Sequence, residues 1–442
     1  MAAKIYDIFI AGAGVTGTAD ALIASWFTNI RKIFMAEKYS WVGQVNSNPR
    51  NNAQTSHDGS TETNYSLAHA LEVLWKAIAL RRYLDSKGVN PLLYRKIVRM
   101  VLGIGEQEVQ KLEERFSLFK PHYQDLEMAY ATDLARMEPK VMEGRDPNQM
   151  VASIYSREGY VVNYQMLAEE MMRDAIRMNP EFEYAFNCPV QEIEFIGDHY
   201  KIRLPYSTIY AKTVIFAAGA YSLYFAQKLG YGLQYALFPV GGSFLSLGHI
   251  VNSKIYRMQI EGMPFAEPHI DPDILNMMDS RGGPTTKFLP MMERYHYNTI
   301  PDFLELPLAS AKGLYMILSI LHKRKLLGYA LENIVYDLPI IGPAAFLNKI
   351  RPIIPTIRYN DVRLRRGAGG IRPQIVNMDT GELEMGSSKI IGVNSIYNTT
   401  PSPGASICIG EGKIDLIKIV DFLGHGYYFD EEKFQKELGK IK

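Results

Sequence analysis

One segment near the start of the chain leaves few folds open. Ile5-Tyr-Asp-Ile-Phe-Ile-Ala-Gly12-Ala-Gly14-Val-Thr-Gly17 is a short apolar run that breaks into G-x-G-x-x-G. The pattern predicts a strand over Lys4 to Ala11, a helix from Val15 to about Phe27, and a second strand over Lys32 to Ala36. Such a βαβ unit aims the free N–H groups and partial positive charge of a helix N-terminus at a pyrophosphate. Gly12 permits the tight turn, Gly14 lets the backbone approach the phosphates, and Gly17 lets helix and strand pack closely. Glu37 ends the second strand, where a carboxylate accepts ribose hydroxyls. A glycine turn without a ligand leaves Glu37 unexplained, so the segment reads as a dinucleotide site.

Composition excludes several other classes. With 442 residues the chain is long enough for two domains. Lys+Arg of 48 against Asp+Glu of 47 leaves a net charge of +1, too balanced for nucleic-acid binding by bulk charge. Cys188 and Cys408 stand far apart in no metal-ligand spacing, which argues against a zinc site or disulfide scaffold and fits a reducing compartment. No metal is expected. The opening apolar run lacks a basic leader and flows into the glycine turn, unlike a signal peptide. The apolar stretch 313–332, interrupted by His322-Lys-Arg-Lys325, falls short of the about 20 apolar residues a spanning helix needs, and fits either a core helix or one lying on a membrane surface.

A long polar loop, Trp41 to Asn64, follows the βαβ unit and has no periodicity. Helices are predicted from Tyr65 to Leu84, Glu106 to about Phe119 and Asn163 to Met178; a strand from Lys96 to Gly103; a hairpin from Cys188 to Leu204; and a buried strand at Thr213 to Ala220. The fold class is therefore α/β. We expect a discontinuous nucleotide-binding domain made of 1–80, 150–228 and 362–442, wrapped around a mixed-sheet α+β substrate domain made of 81–149 and 229–361.

Thr213-Val-Ile-Phe-Ala-Ala-Gly219 resembles the strand that glutathione-reductase-like flavin enzymes place beside their first βαβ unit. No second strand–G-x-G-x-x-G–helix unit appears, which favours FAD over a nicotinamide partner. Across the polar loop, Asn46-Ser-Asn-Pro-Arg-Asn-Asn52 and Gln54-Thr-Ser-His57-Asp-Gly59, then Glu62-Thr-Asn-Tyr65, the chain resembles the malate:quinone oxidoreductase family in its shorter form. The likeness continues through Pro239-Val-Gly-Gly-Ser-Phe244, Pro268-His-Ile-Asp271, Gly283-Pro284, Gly369-Gly-Ile-Arg-Pro-Gln374 and Thr400-Pro-Ser-Pro-Gly-Ala-Ser406, and departs from the longer form at Gln54-Thr-Ser56. The resemblance implies FAD, a small dicarboxylate 2-hydroxy acid as substrate, quinone as electron acceptor, and peripheral attachment to the inner, cytoplasmic face of the cell membrane. Candidate cofactor contacts are Gly12, Gly14, Gly17, Glu37, Lys38, Ser47, Val190, Ala218, Gly219, Gly370, Gly404, Ala405 and Ser406.

Oxidising a 2-hydroxy acid requires a group that takes the hydroxyl proton while hydride leaves Cα. Histidine is the natural base near pH 7. His57 and His269 are the two candidates, and the sequence leaves the choice open. Arginine's planar fork suits a carboxylate, and Arg372, held between Ile371 and Pro373, is the candidate for that contact. Lys287 or Arg281 could meet a second carboxylate, and Tyr65 could add a hydrogen bond. The expected reaction is oxidation of (S)-malate to oxaloacetate. Close to it stands oxidation of L-2-hydroxyglutarate, one methylene longer; from another class, a flavin-binding membrane-surface protein without turnover.

Overall fold

The computed structural model describes residues 4–259, 267–306, 335–384, 388–400 and 404–439, together with Tyr315 and Ser319. The expected βαβ unit is present: strand Ile5–Ala11, helix Val15–Phe27 and strand Ile33–Ala36. Ile5–Ala11 lies at the centre of an eight-stranded sheet, parallel to Ile33–Ala36 on one side and to Thr208–Phe216 on the other. Glu183–Ala185 extends the sheet beyond Ile33–Ala36, and Ser395–Asn398 adds in parallel to Thr208–Phe216.

A parallel sheet must be covered on both faces, so its strands are apolar throughout. Along the first strand Ile8 and Ile10 face one core, with the helices Val15–Phe27, Tyr164–Met178 and Cys408–Leu423. Phe9 and Ala11 face another, shared with Leu237, Phe238, Ile375 and Val376 of a small four-stranded sheet. In that sheet Tyr235–Gly241 runs antiparallel to Ile371–Asn377 along its whole length. A third sheet of eight strands includes Tyr94–Ile104, Val151–Val162, Lys254–Arg257, His269–Asp273 and Asn276–Gly283. The architecture is mixed α/β with several sheets.

Most predicted elements fall within a few residues of their observed bounds. The helix Glu106–Phe119 matches, and Asn163, predicted as a first helical residue, instead caps Tyr164–Met178 by accepting from the Met166 N–H at 3.2 Å. Two stretches pair outside the central sheet. Val151–Val162, expected on the nucleotide side, pairs with Tyr94–Ile104 and Leu126–Tyr130 in the third sheet. Arg363–Leu364 and Ile371–Asn377, expected there too, pair with Leu245–Ser246 and Tyr235–Gly241. Long-range pairing decided both, and local pattern carries no trace of the partner. The stretch 313–332 lies outside the described residues apart from Tyr315 and Ser319. Among the described residues no helix is long and apolar enough to cross a membrane.

Candidate active site

The glycine turn forms one wall of a cavity of about 550 Å³. Gly12 has φ +101°, and a Cβ on it would stand 2.6 Å from the Ala217 carbonyl oxygen. On Gly17 a Cβ would meet the Gly12 carbonyl oxygen at 2.1 Å. Both positions therefore require glycine. Gly14 caps the helix with no side-chain hydrogen bond of its own, and Ser47 Oγ accepts from the Val15 N–H at 2.9 Å. Glu37 turns back toward the turn: its carboxylate accepts from Ala13 N–H at 2.7 Å and Tyr39 N–H at 2.9 Å. Burial raises the Glu37 carboxyl above its usual range, against the pull of those two amides.

The cavity wall brings together Gly12, Gly14, Glu37, Lys38, Ser47, Val190, Ala218, Gly219, Gly370, Gly404, Ala405 and Ser406, and also His57 and Arg372. Gly17 stands behind the wall as a packing glycine. Segments distant in sequence meet here because they are docked on one another. Gly370 has room for no side chain, since a Cβ would lie 2.6 Å from the Asn51 carbonyl oxygen. The Ile371 N–H donates to Asn46 Oδ1 at 3.3 Å, which seats the Arg372 segment on the asparagine loop.

His57 is the most elaborately held of the candidates. Its N–H donates to Ser406 Oγ at 2.9 Å, and Ser406 Oγ in turn donates to the Thr55 carbonyl at 3.1 Å. Its Nδ1 lies 2.6 Å from Glu62 Oε1. Burial opposes charge on Glu62, but the hydrogen bond and charge of His57 and the charge of Arg99 hold its carboxyl below the usual range. An ionised Glu62 accepts a hydrogen bond from Nδ1–H and leaves Nε2 as the basic nitrogen. Glu62 belongs to the motif Glu62-Thr-Asn-Tyr65, but the sequence reading gave it no role. The spacing of five residues to His57 within an irregular loop has no periodicity to reveal the pairing.

The structure does not bring the remaining candidates to this wall. His269, 2% exposed, sits behind it, with ring centroid 5.0 Å from that of Tyr256, which is 6.3 Å from that of His57. Burial, then the positive charges of Lys254, His57, Arg281 and Arg372, push His269 well below the usual histidine range. Arg281, fully buried, donates to Asp271 Oδ2 at 2.6 Å and to the Asn52 carbonyl at 3.1 Å, so its fork is occupied within the fold. Lys287 is buried against Asp337; burial, aided by the charge of Arg294, lowers its ammonium to about 7. Tyr65 is half-buried beside Glu62, away from the wall. Gln54, where the chain departs from the longer family form, serves as a pin: it donates to Asp273 Oδ1 at 2.8 Å and accepts from the Ile274 N–H at 2.9 Å.

A second cluster of ionisable side chains lies between the helices Val15–Phe27 and Cys408–Leu423. Asp20 is fully buried and neither of its carboxyl oxygens has a hydrogen-bond partner. Asp415, Glu411 and Lys389 surround it, with Lys389 Nζ 2.6 Å from Asp415 Oδ1. Burial, then the charge of Asp415, raises the Asp20 carboxyl well above its usual range.

The family model for malate:quinone oxidoreductase (Mqo) matches residues 4–420. The chain belongs to the malate:quinone oxidoreductase family. Its similarity to individual members spans nearly everything. It is 32% identical to the malate:quinone oxidoreductase of Helicobacter pylori (strain J99 / ATCC 700824) over 98% of each chain. It is 31% identical to the probable malate:quinone oxidoreductase of Campylobacter jejuni subsp. jejuni, covering 99% of this chain and 100% of that one. Among solved structures, the L-α-glycerophosphate oxidase of Mycoplasma pneumoniae, determined with FAD bound, superposes with a TM-score of 0.67 at 16% identity over 97% of each chain. Glycine oxidase from Geobacillus kaustophilus gives 0.64 at 15% identity over 99% of each. This malate:quinone oxidoreductase family member thus shares the fold of these two oxidases.

Proposed function

We propose that this chain binds FAD in the cavity described above, oxidises (S)-malate to oxaloacetate, and passes the electrons to quinone. The observation that carries the reading is the pairing of His57 with a buried, ionised Glu62 on the wall that also presents Arg372. The cavity fits the cofactor on its own chemistry. Two glycines leave no room for a Cβ, the helix N-terminus is uncapped by its own residue, and Glu37 lines the wall at the end of the second strand, where its carboxylate would meet a ribose. Gly12, Gly14, Ser47, Glu37, Lys38 and Val190 would hold the nucleotide half; Ala218, Gly219, Gly370, Gly404, Ala405 and Ser406 would hold the flavin half. When bound, FAD supplies a two-electron acceptor for the hydride from substrate Cα.

The chain's own residues do the rest. Arg372 binds the carboxylate next to the reacting carbon and so fixes which C–H points inward. His57 Nε2 accepts the hydroxyl proton, and Glu62 holds the imidazole in the tautomer that leaves that nitrogen free. Phe244 and Pro284 line the same cavity and add apolar surface to it. His269 enters as a neutral ring behind the site; its depressed basicity makes His57 the better base. Following sheet membership, we take the nucleotide-binding unit as roughly 4–90, 163–234 and 388–439. Because quinone is the acceptor, we place the protein peripherally on the inner face of the cytoplasmic membrane.

Anaerobic mixing of the purified yellow protein with malate, L-2-hydroxyglutarate and lactate tests the reading. Flavin bleaching by malate is expected. Bleaching only by 2-hydroxyglutarate would shift the substrate by one methylene, a discrimination worth about 1–3 kcal/mol in a pocket. Bleaching by none would leave a flavin-binding protein without turnover. Sedimentation with anionic lipid vesicles tests the membrane placement.

A further inference from the structure

The loop that carries His57 is gripped from the third sheet. Arg99, in the strand Tyr94–Ile104, is 1% exposed. Its Nη1 donates to the Ser56 carbonyl at 2.8 Å, while its Nη2 donates to the Asp58 carboxylate and to Ser60 Oγ at 2.8 Å. One guanidinium therefore holds the residue before His57 and the residue after it. Asp58 is shared with Arg81; burial opposes its charge, but the two guanidiniums hold it far below the usual carboxyl range. Between Trp41 and Ser66 the chain has no helix or strand, only a bridge from Thr55 to Val161. Contacts of this kind, rather than regular structure, fix where His57 stands.

We propose that Arg99 is a positioning residue for proton transfer at His57: its fork places the imidazole, and its charge together with that of Asp58 sets the proton affinity of the His57–Glu62 pair. The proposal rests on His57 being the base. The groups that face this pair are Asp58 and Tyr65 from the same chain stretch, Arg81 from the helix Leu67–Ser86, Arg99 from its strand, Arg115 from the helix Glu106–Phe119, and Arg372 from Ile371–Asn377. Tyr256 and His269 stand behind, backed by Lys254, Asp271 and Arg281. In such a buried setting a single charge is poorly screened. Removing the cation at 99 therefore favours the imidazolium, and removing the anion at 58 disfavours it. Lysine at 99 keeps the charge but lacks the planar fork that spans two partners.

The test is the rate of anaerobic flavin reduction by malate against pH, on holoenzyme, for wild type, Arg99→Lys, Arg99→Met, Asp58→Asn and His57→Gln, with flavin content and Tm measured for each. Arg99→Lys is expected to slow reduction about ten- to hundredfold at every pH, with the acid limb of the profile in place. Arg99→Met should also move the acid limb up by about one pH unit, and Asp58→Asn should move it down. A merely structural Arg99 would lower Tm or flavin content and move no limb. Acid limbs at the wild-type position in both Arg99→Met and Asp58→Asn overturn the proposal. If Arg99→Met does not fold, an Asp58→Asn limb left in place together with a wild-type rate for Arg99→Lys overturns it. His57→Gln separates the two levels: wild-type reduction in that variant removes the base assignment itself, whatever the Arg99 variants do.

Discussion

The glycine turn and the His57 loop line one cavity but are built in opposite ways. The turn works through main-chain groups: two glycines with no room for a side chain, a helix N-terminus, and a carboxylate tied to two backbone amides. Apart from Ser47, all of it lies within one βαβ unit. The His57 loop works through side chains supplied from afar, with Arg99 and Arg115 on its flanks and Ser406 beneath. Main-chain cradles tolerate variation in side chains but no added volume. Side-chain pins tolerate changes of volume at the surface but no lost partner. The two halves of the site should therefore fail differently.

The sharpest break is expected in the cradle. Gly17→Val drives two methyl-bearing branches into the Gly12 carbonyl, and the variant should purify without flavin absorbance; retained yellow colour would contradict the packing argument. His57→Gln should keep flavin and slow its reduction by malate about 10²–10⁴-fold, the usual worth of a positioned base. Glu62→Gln should fall between that variant and wild type, because it frees the tautomer without removing the ring. Arg372→Lys should raise the malate KM about ten- to hundredfold, in line with roughly 1.5–3 kcal/mol for a charged hydrogen bond, and an unchanged KM would remove Arg372 from the substrate.

The smallest effect concerns Asp20, behind the cradle. Its folded-state carboxyl is raised, so its contribution to stability is present below the unfolded carboxyl range and is lost as pH rises through the raised value. Asp20→Asn mimics the neutral form and lacks that loss. Its Tm should match wild type under acid conditions and exceed it by about 1–3 °C in alkali; parallel curves across the range would show that Asp20 carries no such proton.

What could be read from the sequence follows the same division. The cradle was legible because its determinants are local: strand period, glycine spacing and a carboxylate at a fixed distance. Motif likeness pointed to His57 and Arg372, and both stand on the cavity wall. The pairing of His57 with Glu62 was not legible, since an irregular loop has no period that brings two residues together. Lys287 and Arg281 had the right charge for a second carboxylate, but burial gave each an internal partner, Asp337 and Asp271, that sequence does not show. The strand Val151–Val162 escaped notice because Ser156-Arg-Glu-Gly159 interrupts its apolar run, and its pairing shows a register shift opposite that point.

Ser395–Asn398 sits beside Thr208–Phe216, and the helix Cys408–Leu423 packs on Val15–Phe27. A chain cut before Ser395 would leave residues 214–216 as an open sheet edge and part of Val15–Phe27 bare, so the support of the glycine turn is long-range although its motif is local.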